Sequence, residues 1–332
     1  MTIFDQITLL LLASSIVVQL VLFILWRKRK QHKSDGSLAK RLNKAGLGLF
    51  IIIIICQVTV LYGSLIEPQW LEVTYTDIEL PSAANKVVQN EPIQQLKIAV
   101  VSDLHLGPYK GAEYTKRVVA EINAINPDIL LMPGDFIYSR ESHADGLAPF
   151  KELNPKIISL ATLGNHDYGI SRHIAGKVDG SLTKSAYVRN RLEQAGVRVL
   201  SNESLLLFEG DRQIQITGLE DLWGYTGQFA DDLFADSETT TIILEHNPDI
   251  ILDSRAKTAD LVVSGHTHGG QVRLPVIGAI APLPTKLGRD FDRGLFDYAD
   301  SSQLFITRGA GEMGPRARLF NRPEIAVLNL SY

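Results

Sequence analysis

Cysteine is almost absent from this chain. The one thiol among 332 residues, Cys56, falls inside a long apolar run, so no disulfide can form within the chain. The fold must therefore rest on its core or on bound metal. The sequence also has no internal repeat and no low-complexity segment, which excludes repeat arrays and compositionally biased linkers.

Charge is missing from two stretches near the N-terminus. Residues 8–26 and 45–66 contain no charged side chain and are 19 and 22 residues long. At about 1.5 Å per residue, each can cross a hydrocarbon core of about 30 Å. A cleaved signal peptide, the alternative for the first stretch, needs positive charge before the apolar region, where only Asp5 occurs. For the second stretch, an uncleaved signal anchor remains an alternative. We predict a two-span transmembrane hairpin over 1–66.

The segment between these stretches, residues 27–44, is strongly basic. It holds eight Lys or Arg side chains against Asp35 alone. A nucleic-acid-binding arm is one explanation, but a short basic loop between two spans is better explained by the positive-inside rule. The rule predicts a multi-pass protein of the cell (inner) membrane, with the loop in the cytoplasm and residues after 66 on the extracytoplasmic side. Trp26 and Trp70 would lie near the two interfaces.

The rest of the chain lacks positive charge. Residues 1–66 carry a formal charge of +6, whereas residues 67–332 carry −10. An acidic domain attracts long polyanions poorly, so no nucleic-acid partner is expected. A nuclease is disfavoured for the same reason.

From residue 96 a regular pattern begins, in which an apolar β-type run ends in a polar turn and helical stretches lie between. The runs end at DLHLG, GDF, GNHDY, HNPD and GHTHGG. Apolar strands covered by helices predict an α/β fold, a layered β-sandwich flanked by helices, whose ligands bind just past the strand ends. We expect 67–95 to hold a linker and a first strand, and 96–332 to form the catalytic domain.

The five polar turns collect the side chains that can bind metal. Five of the eight histidines lie there, and His266-Thr267-His268 is flanked by glycines that let the backbone pass close to an ion. The other histidines, His32, His143 and His173, read as solvated surface residues. The candidates are Asp103, His105, Asp135, Asn165, His166, His246, His266 and His268.

In this order, the five motifs resemble those of the calcineurin-like metallophosphoesterases. With two N-terminal spans, the chain is similar to their membrane-attached bacterial branch of YkuE- and YaeI-type proteins. The resemblance implies two divalent metal ions (Mn, Fe, Zn or Co). It assigns the first ion to Asp103, His105 and His268, the second to Asn165, His246 and His266, with Asp135 bridging both. It also implies that His166 acts on the substrate rather than on metal.

For several residues near these motifs the sequence leaves more than one role. Asp167 or Asp103 could orient the His166 ring. Many relatives carry a second acidic residue three positions after the Gly-Asp aspartate, where this chain has Tyr138. Arg273 and Arg308 could contact phosphate oxygens or form surface ion pairs. The cluster DLWGYTGQF (221–229) could be a lid or, more in keeping with its composition, a packed loop.

These features predict a membrane-anchored phosphoesterase with two metal ions. We expect a metal-activated hydroxide to cleave a phosphodiester or pyrophosphate bond of a lipid-linked or envelope substrate. One alternative is a UDP-2,3-diacylglucosamine-type pyrophosphate hydrolase of lipid A synthesis, a pathway that runs on the cytoplasmic side. Another is a non-catalytic metal-binding scaffold of the same fold. A metallo-β-lactamase site is disfavoured because two glycines follow His268.

Overall fold

A computed structural model of the chain describes residues 3–31, 37–80, 95–170, 181–209, 212–224, 229–234, 239–299 and 302–331. Four predicted features lie partly or wholly outside these ranges. One is the linker predicted within 67–95, of which residues 81–94 are not described. The other three are the middle of the basic loop with His32, the surface residue His173, and residues 225–228 of the aromatic-glycine cluster.

Two helices open the chain, α1 (Ile3–Gln31) and α2 (Ser37–Leu61). Their apolar side chains face outward, and Leu10 and Ile52 are 70% and 58% exposed. Within the described residues, Thr8–Lys28 and Ala45–Gln69 are long and apolar enough to cross a membrane, and both are nearly unburied by protein. A core helix of a globular domain would be mostly covered. The two apolar helices thus fit the predicted spans.

Polar side chains join the two helices. The Gln57 side chain accepts a hydrogen bond from Gln19 (2.8 Å) and donates one to the Ser15 hydroxyl (2.7 Å). Side-chain hydrogen bonds of this kind are a common means of association between helices in apolar surroundings.

After residue 71, the strands among the described residues form two six-stranded sheets and one short hairpin. In chain order the strands are β1 (Glu72–Glu79), β2 (Gln95–Val100), β3 (Ile129–Pro133), β4 (Ile158–Thr162), β5 (Arg198–Val199), β6 (Glu203–Glu209), β7 (Arg212–Gly218), β8 (Thr240–Leu244), β9 (Leu261–Ser264), β10 (Arg273–Leu274), β11 (Gly278–Ala279), β12 (Gly294–Ala299), β13 (Ser302–Ile306) and β14 (Glu324–Ser331). The strand orders are β1-β14-β2-β3-β4-β5 and β12-β13-β9-β8-β7-β6, with β10-β11 separate.

The two large sheets pack face to face. Alternate residues such as Ile98, Leu131, Ile216 and Val263 meet in one apolar layer between them. The outer face of the first sheet is covered by α3 (Ala112–Ile125), a 3-10 segment (Glu141–Glu152) and α4 (Leu182–Gln194), and 3-10 turns at 248–258 cover the second. The predicted layered α/β sandwich with flanking helices is confirmed.

Strand direction brings the polar turns to one edge. In the first sheet β2, β3 and β4 are parallel, and in the second β7, β8 and β9 are parallel. We call the edge where these strands end the carboxyl edge. β14 is antiparallel to β2, and β1 is parallel to β14 with Glu72 opposite Glu324. β1 therefore begins at the carboxyl edge, and the chain arrives there from α2.

Candidate metal centre

The carboxyl edge brings together all eight candidate side chains predicted from the sequence. Each follows the end of β2, β3, β4, β8 or β9, and each is at most 8% exposed. Imidazoles and carboxylates buried at this density need partners to offset their lost hydration. The acids and histidines among them cluster in two groups, which a third, overlapping set of His105, Asp135 and His166 connects.

The first group consists of Asp103, His105 and His268. The Nε2 atoms of the two histidines lie 3.0 Å apart. Asp103 Oδ1 is 3.5 Å from His268 Nε2 and 3.9 Å from His105 Nε2. These three side chains thus direct one oxygen and two nitrogens at a single point.

The second group consists of Asp135, His246 and His266. His246 Nε2 lies 3.0 Å from His266 Nδ1 and 3.1 Å from Asp135 Oδ2. The same Asp135 oxygen is 3.4 Å from His105 Nε2, in the first group. Asp135 therefore stands between the two groups, where a bridging carboxylate would be needed.

Asn165 lies between Gly164 and His166 in the chain, both of which contact Asp135 of the second group. Its side-chain amide donates to the Ile170 carbonyl at 2.5 Å, which fixes the orientation of the amide. Its Oδ1 is buried and has no hydrogen-bond partner among the described residues. A buried unpaired carbonyl oxygen on a turn that contacts Asp135 fits a divalent ion of the N- and O-binding class. The residues present thus fit a pair of such ions.

Electrostatics favour the metal-binding form of most of these groups. Burial lowers the pKa of His105 and His266 to about 3, so both rings are neutral and offer a lone pair. Burial alone would raise the pKa of Asp135, but the charges of His246 and His166 hold it well below its usual range. Although burial opposes its charge, the Asp135 carboxylate raises the pKa of His246. An ion there would take the place of the His246 proton in neutralising Asp135.

The backbone at the site adopts a conformation that few residues tolerate. Five of the seven proposed ligands have a positive φ, between 43° and 69°: Asp103, His105, Asp135, His266 and His268. Such strain persists where surrounding structure enforces it, typically at functional sites. Space is equally restricted, because a Cβ at Gly164 would lie 2.3 Å from Asp135 Oδ1.

The His166 ring lies against His105 and near Asp135, but the hydrogen bond of its Nδ1 goes to neither of them. Its Nδ1 lies 2.9 Å from the Tyr138 carbonyl, to which it donates, so Nε2 is the ring nitrogen left for chemistry. Its backbone N–H donates to Asp135 Oδ1 at 2.8 Å. The expectation that Asp167 or Asp103 orients this ring is wrong, because a backbone carbonyl does so. Tyr138, which stands where the resemblance implies a second acid, thus orients His166 through its main-chain carbonyl.

Asp167 instead ties two ligand-bearing turns together. Its carboxylate accepts the backbone N–H groups of Phe136 (3.0 Å), Ile137 (3.2 Å) and Gly164 (2.9 Å). Burial and then the nearby Asp135 charge raise the pKa of Asp167 to about 8, against the three N–H donors. Asp167 fixes the turns that carry Asp135 and Asn165.

The two arginines considered as phosphate contacts are held in ion pairs. Arg273 pairs with Asp292 and also donates to the Gly269 carbonyl (3.1 Å). Arg308 bonds Glu324 at 2.9 Å and Glu72 at 3.0 Å. Both arginines thus form ion pairs, which is the second of the two roles that the sequence left open.

Two residues near the ligands were not singled out from the sequence. The Trp223 ring lies against His266, and the Asn321 side chain donates to the His268 carbonyl at 2.6 Å. Trp223 belongs to the 221–229 cluster, in which composition gave no sign of a contact to a ligand. Asn321 lies 53 residues beyond His268, so no local pattern connects them.

Comparison with known proteins agrees with this geometry. Residues 96–270 match the calcineurin-like phosphoesterase family. The chain is 30% identical to the uncharacterized metallophosphoesterase YkuE of Bacillus subtilis, over 81% of this chain and 88% of the relative. It is 29% identical to the phosphodiesterase YaeI of Escherichia coli (70% and 82%). It is 30% identical to the UDP-2,3-diacylglucosamine pyrophosphatase LpxG of Chlamydia trachomatis (82% and 93%).

Proposed function

Because this chain belongs to the calcineurin-like phosphoesterase family and is a metal-dependent phosphoric ester hydrolase, we propose that it cleaves a phosphodiester or pyrophosphate bond in a lipid-linked substrate at the membrane. The observation that carries the proposal is the position of Asp135 between two groups of buried imidazoles and carboxylates. One bridging carboxylate with two nitrogen-rich groups is the arrangement that two-metal hydrolysis requires.

The ligand assignment follows the two groups. Asp103, His105 and His268 would hold one ion, and Asn165, His246 and His266 the other, with Asp135 shared. Bound divalent ions supply a water of lowered pKa and neutralise the negative charge of a phosphate in an in-line displacement. The donor set is compatible with Mn, Fe, Zn or Co.

His166 is the residue we assign to the leaving group. Donation from Nδ1 to the Tyr138 carbonyl fixes the ring plane and leaves Nε2 for the substrate, so that in the doubly protonated imidazolium Nε2–H can stabilise the departing oxygen or transfer its proton to it. The burial of the surrounding ligands excludes bulk water from this proton transfer. Asp167 contributes by holding the turns on which Asp135 and His166 lie.

The substrate class comes from the anchor and from one relative. Two spans would keep the site within reach of the bilayer, and the basic loop favours an extracytoplasmic domain. Similarity to LpxG favours, as a second candidate, the pyrophosphate of a UDP-diacylglucosamine. A non-catalytic scaffold is less well supported, because every motif position of the site is filled.

The test uses the full chain in detergent, stripped of metal and titrated with manganese. We expect hydrolysis of bis-p-nitrophenyl phosphate to rise with metal and His166→Ala to reduce kcat by about 10²–10⁴-fold with unchanged metal content. Asp145→Asn is the control, since this exposed carboxylate pairs with Arg191 on the surface. A fully active His166→Ala enzyme would exclude the assigned role.

A second substrate separates the two candidates. Detergent-dispersed UDP-2,3-diacylglucosamine, cleaved by the wild type and not by His166→Ala, would favour the pyrophosphate. Metal binding without turnover of either substrate, in folded protein, would support the scaffold. Alkaline phosphatase fused after residue 332 tests the orientation, because this enzyme needs disulfides that form only outside the cytoplasm. An inactive fusion contradicts an extracytoplasmic domain.

A further inference from the structure

An apolar surface lies at the carboxyl edge, next to the metal centre but outside it. It is formed by the β10–β11 hairpin, which begins five residues after His268, together with Phe320. We call this surface the hairpin patch. Its members are Leu274 (38% exposed), Val276 (108%), Ile277 (64%), Ile280 (54%) and Phe320 (57%).

The hairpin patch stands out from the rest of the domain. The other large exposed apolar side chains described after residue 71 are scattered: Tyr75, Ile157, Leu182, Leu206 and Leu252. Val276 also has a φ of 70°, a conformation that a β-branched residue adopts only at a cost. A glycine or asparagine would suit this turn and water better. A clustered, exposed apolar surface marks a contact with a partner or a membrane.

Hydrogen bonds of the main chain, one of them to the Glu67 carboxylate, connect the hairpin patch to the end of α2. The Arg273 N–H donates to the Leu319 carbonyl (2.9 Å), which fixes the hairpin to segment 318–321. In the same segment, Arg318 N–H donates to Gly63 O (2.8 Å) and Asn321 N–H to Glu67 (2.5 Å). Residues 62–69 directly continue α2. The hairpin patch and the second apolar helix therefore belong to one hydrogen-bonded unit.

Strand topology gives the orientation of that unit. Because β1 starts at the carboxyl edge, the chain leaves α2 on the side of the domain that carries the metal centre and the hairpin patch. The opposite edge, where β1 ends at Glu79, lies about 23 Å further along the strand. If α2 crosses a bilayer, the edge nearest that bilayer is the carboxyl edge.

Arginines surround the apolar side chains, although the domain as a whole is acidic. A cleft of about 660 Å³ beside the hairpin is lined by Arg273, Arg289 and Arg293, by Phe320, and by Asp290 and Asp292, the second of which pairs with Arg273. Arg322 lies over the Trp70 ring, 3.7 Å from its centroid, where the chain leaves the second apolar stretch. Apolar tips with arginine at their base fit the boundary between acyl chains and anionic headgroups.

We propose that the hairpin patch inserts into the interfacial layer of the bilayer that holds α1 and α2, with the neighbouring arginines at the lipid headgroups. The inference rests on the membrane attachment proposed above and not on catalysis. Insertion of the hairpin patch would also select the class of substrate. A metal centre held against the headgroup layer receives amphiphilic phosphate esters by lateral movement, with their acyl chains still in the bilayer.

The experiment uses the full chain with Cys56→Ser, in nanodiscs of phosphatidylethanolamine and phosphatidylglycerol. A nitroxide is attached at Val276→Cys, at Ile277→Cys, at Ile52→Cys in α2 and at Glu79→Cys on the opposite edge. Collision with oxygen, which concentrates in lipid, is compared with collision with a water-soluble nickel complex. Metal content equal to that of the parent shows that each labelled protein is folded.

We expect positions 276 and 277 to resemble position 52, with oxygen collisions dominant, and position 79 to be accessible to nickel. Labels at 276 and 277 as accessible to nickel as the label at 79, with position 52 in lipid, would overturn the hairpin insertion and leave the anchor intact. A nickel-accessible label at 52 would refute the membrane attachment itself and with it this inference. Hydrolysis assays on the same samples report the phosphoesterase proposal independently.

Discussion

The Trp223 indole stands edge-on to the His266 imidazole, with ring centroids 4.6 Å apart and planes at 89°. The backbone N–H of Trp223 donates to Asp221 at 2.8 Å, which fixes the start of the turn that carries the indole. His266 contacts His246 through Nδ1, and its Nε2 has no hydrogen-bond partner among the described residues. The indole therefore helps to set the plane of the His266 ring.

Replacing Trp223 should weaken metal binding at the second group. We expect Trp223→Ala to lower the affinity for the weaker of two manganese ions by about 10–100-fold, the usual effect of losing a residue that orients a ligand. Trp223→Phe keeps an aromatic edge and should retain most of the affinity. Calorimetric titration of metal-stripped full-length protein measures both, and equal affinities for wild type and Trp223→Ala would contradict the orienting role.

His266 and His268 are separated by one residue but face different groups. His266 lies beside His246, and His268 beside His105. We therefore expect His266→Ala and His268→Ala each to reduce bound metal from two ions towards one and to abolish hydrolysis. Mass spectrometry of the metal per chain is the measurement, with Asp145→Asn, a change at an exposed surface carboxylate, as the control. Two ions retained in either variant would disprove the assignment.

Asp167 should matter for stability as well as for metal affinity. In Asp167→Asn, one carboxylate oxygen becomes an NH2 group facing backbone donors such as Gly164 N–H, so a buried donor loses its acceptor. Such a loss costs about 1–3 kcal/mol. We expect a lower midpoint of thermal unfolding and weaker manganese binding. Asp145→Asn, which changes an exposed carboxylate bonded to Arg191 and Tyr187, should change neither. Similar shifts in both variants would argue against a specific role.

The sequence predicted the layered fold because strand-like apolar runs and turn residues are local signals. It also predicted which side chains meet, since the ends of parallel strands share one edge. The partner of His166 escaped prediction because the Tyr138 main-chain carbonyl, not a side chain, supplies it. The contacts of Trp223 and Asn321 depend on how distant loops pack. The positive φ of five proposed ligands has no local signature either, because asparagine or glycine would be the ordinary residue there.

A buried charge pair lies behind the first ligand turn. Lys110 is 3% exposed and Glu312 is 1% exposed, with Lys110 Nζ 3.3 Å from Glu312 Oε2. The ammonium also donates to the Ala310 carbonyl at 2.5 Å, and Ala310 N–H in turn bonds the Ser102 carbonyl next to Asp103. Burial, opposed by Glu312, lowers the pKa of Lys110 from 10.5 to about 7.

This shift makes stability depend on pH in a definite direction. Between about pH 7 and 10.5 the unfolded chain binds a proton at Lys110 that the folded chain has released. Unfolding is therefore coupled to proton uptake, and the free energy of unfolding rises with pH in this window by at most about 1.4 kcal/mol per pH unit. Below about pH 7 Lys110 is protonated in both states, so it no longer makes the free energy of unfolding depend on pH.

The double variant Lys110→Met, Glu312→Gln isolates this contribution. We expect the midpoint of thermal unfolding of the metal-loaded wild type to increase from pH 7 to pH 9 relative to that of the double variant, because the variant has no titrating group at this place. Lys110→Met alone leaves a buried carboxylate uncompensated and should cost about 3–5 kcal/mol, much of which the second substitution restores. Parallel pH profiles for wild type and double variant would show that Lys110 keeps its proton in the folded chain.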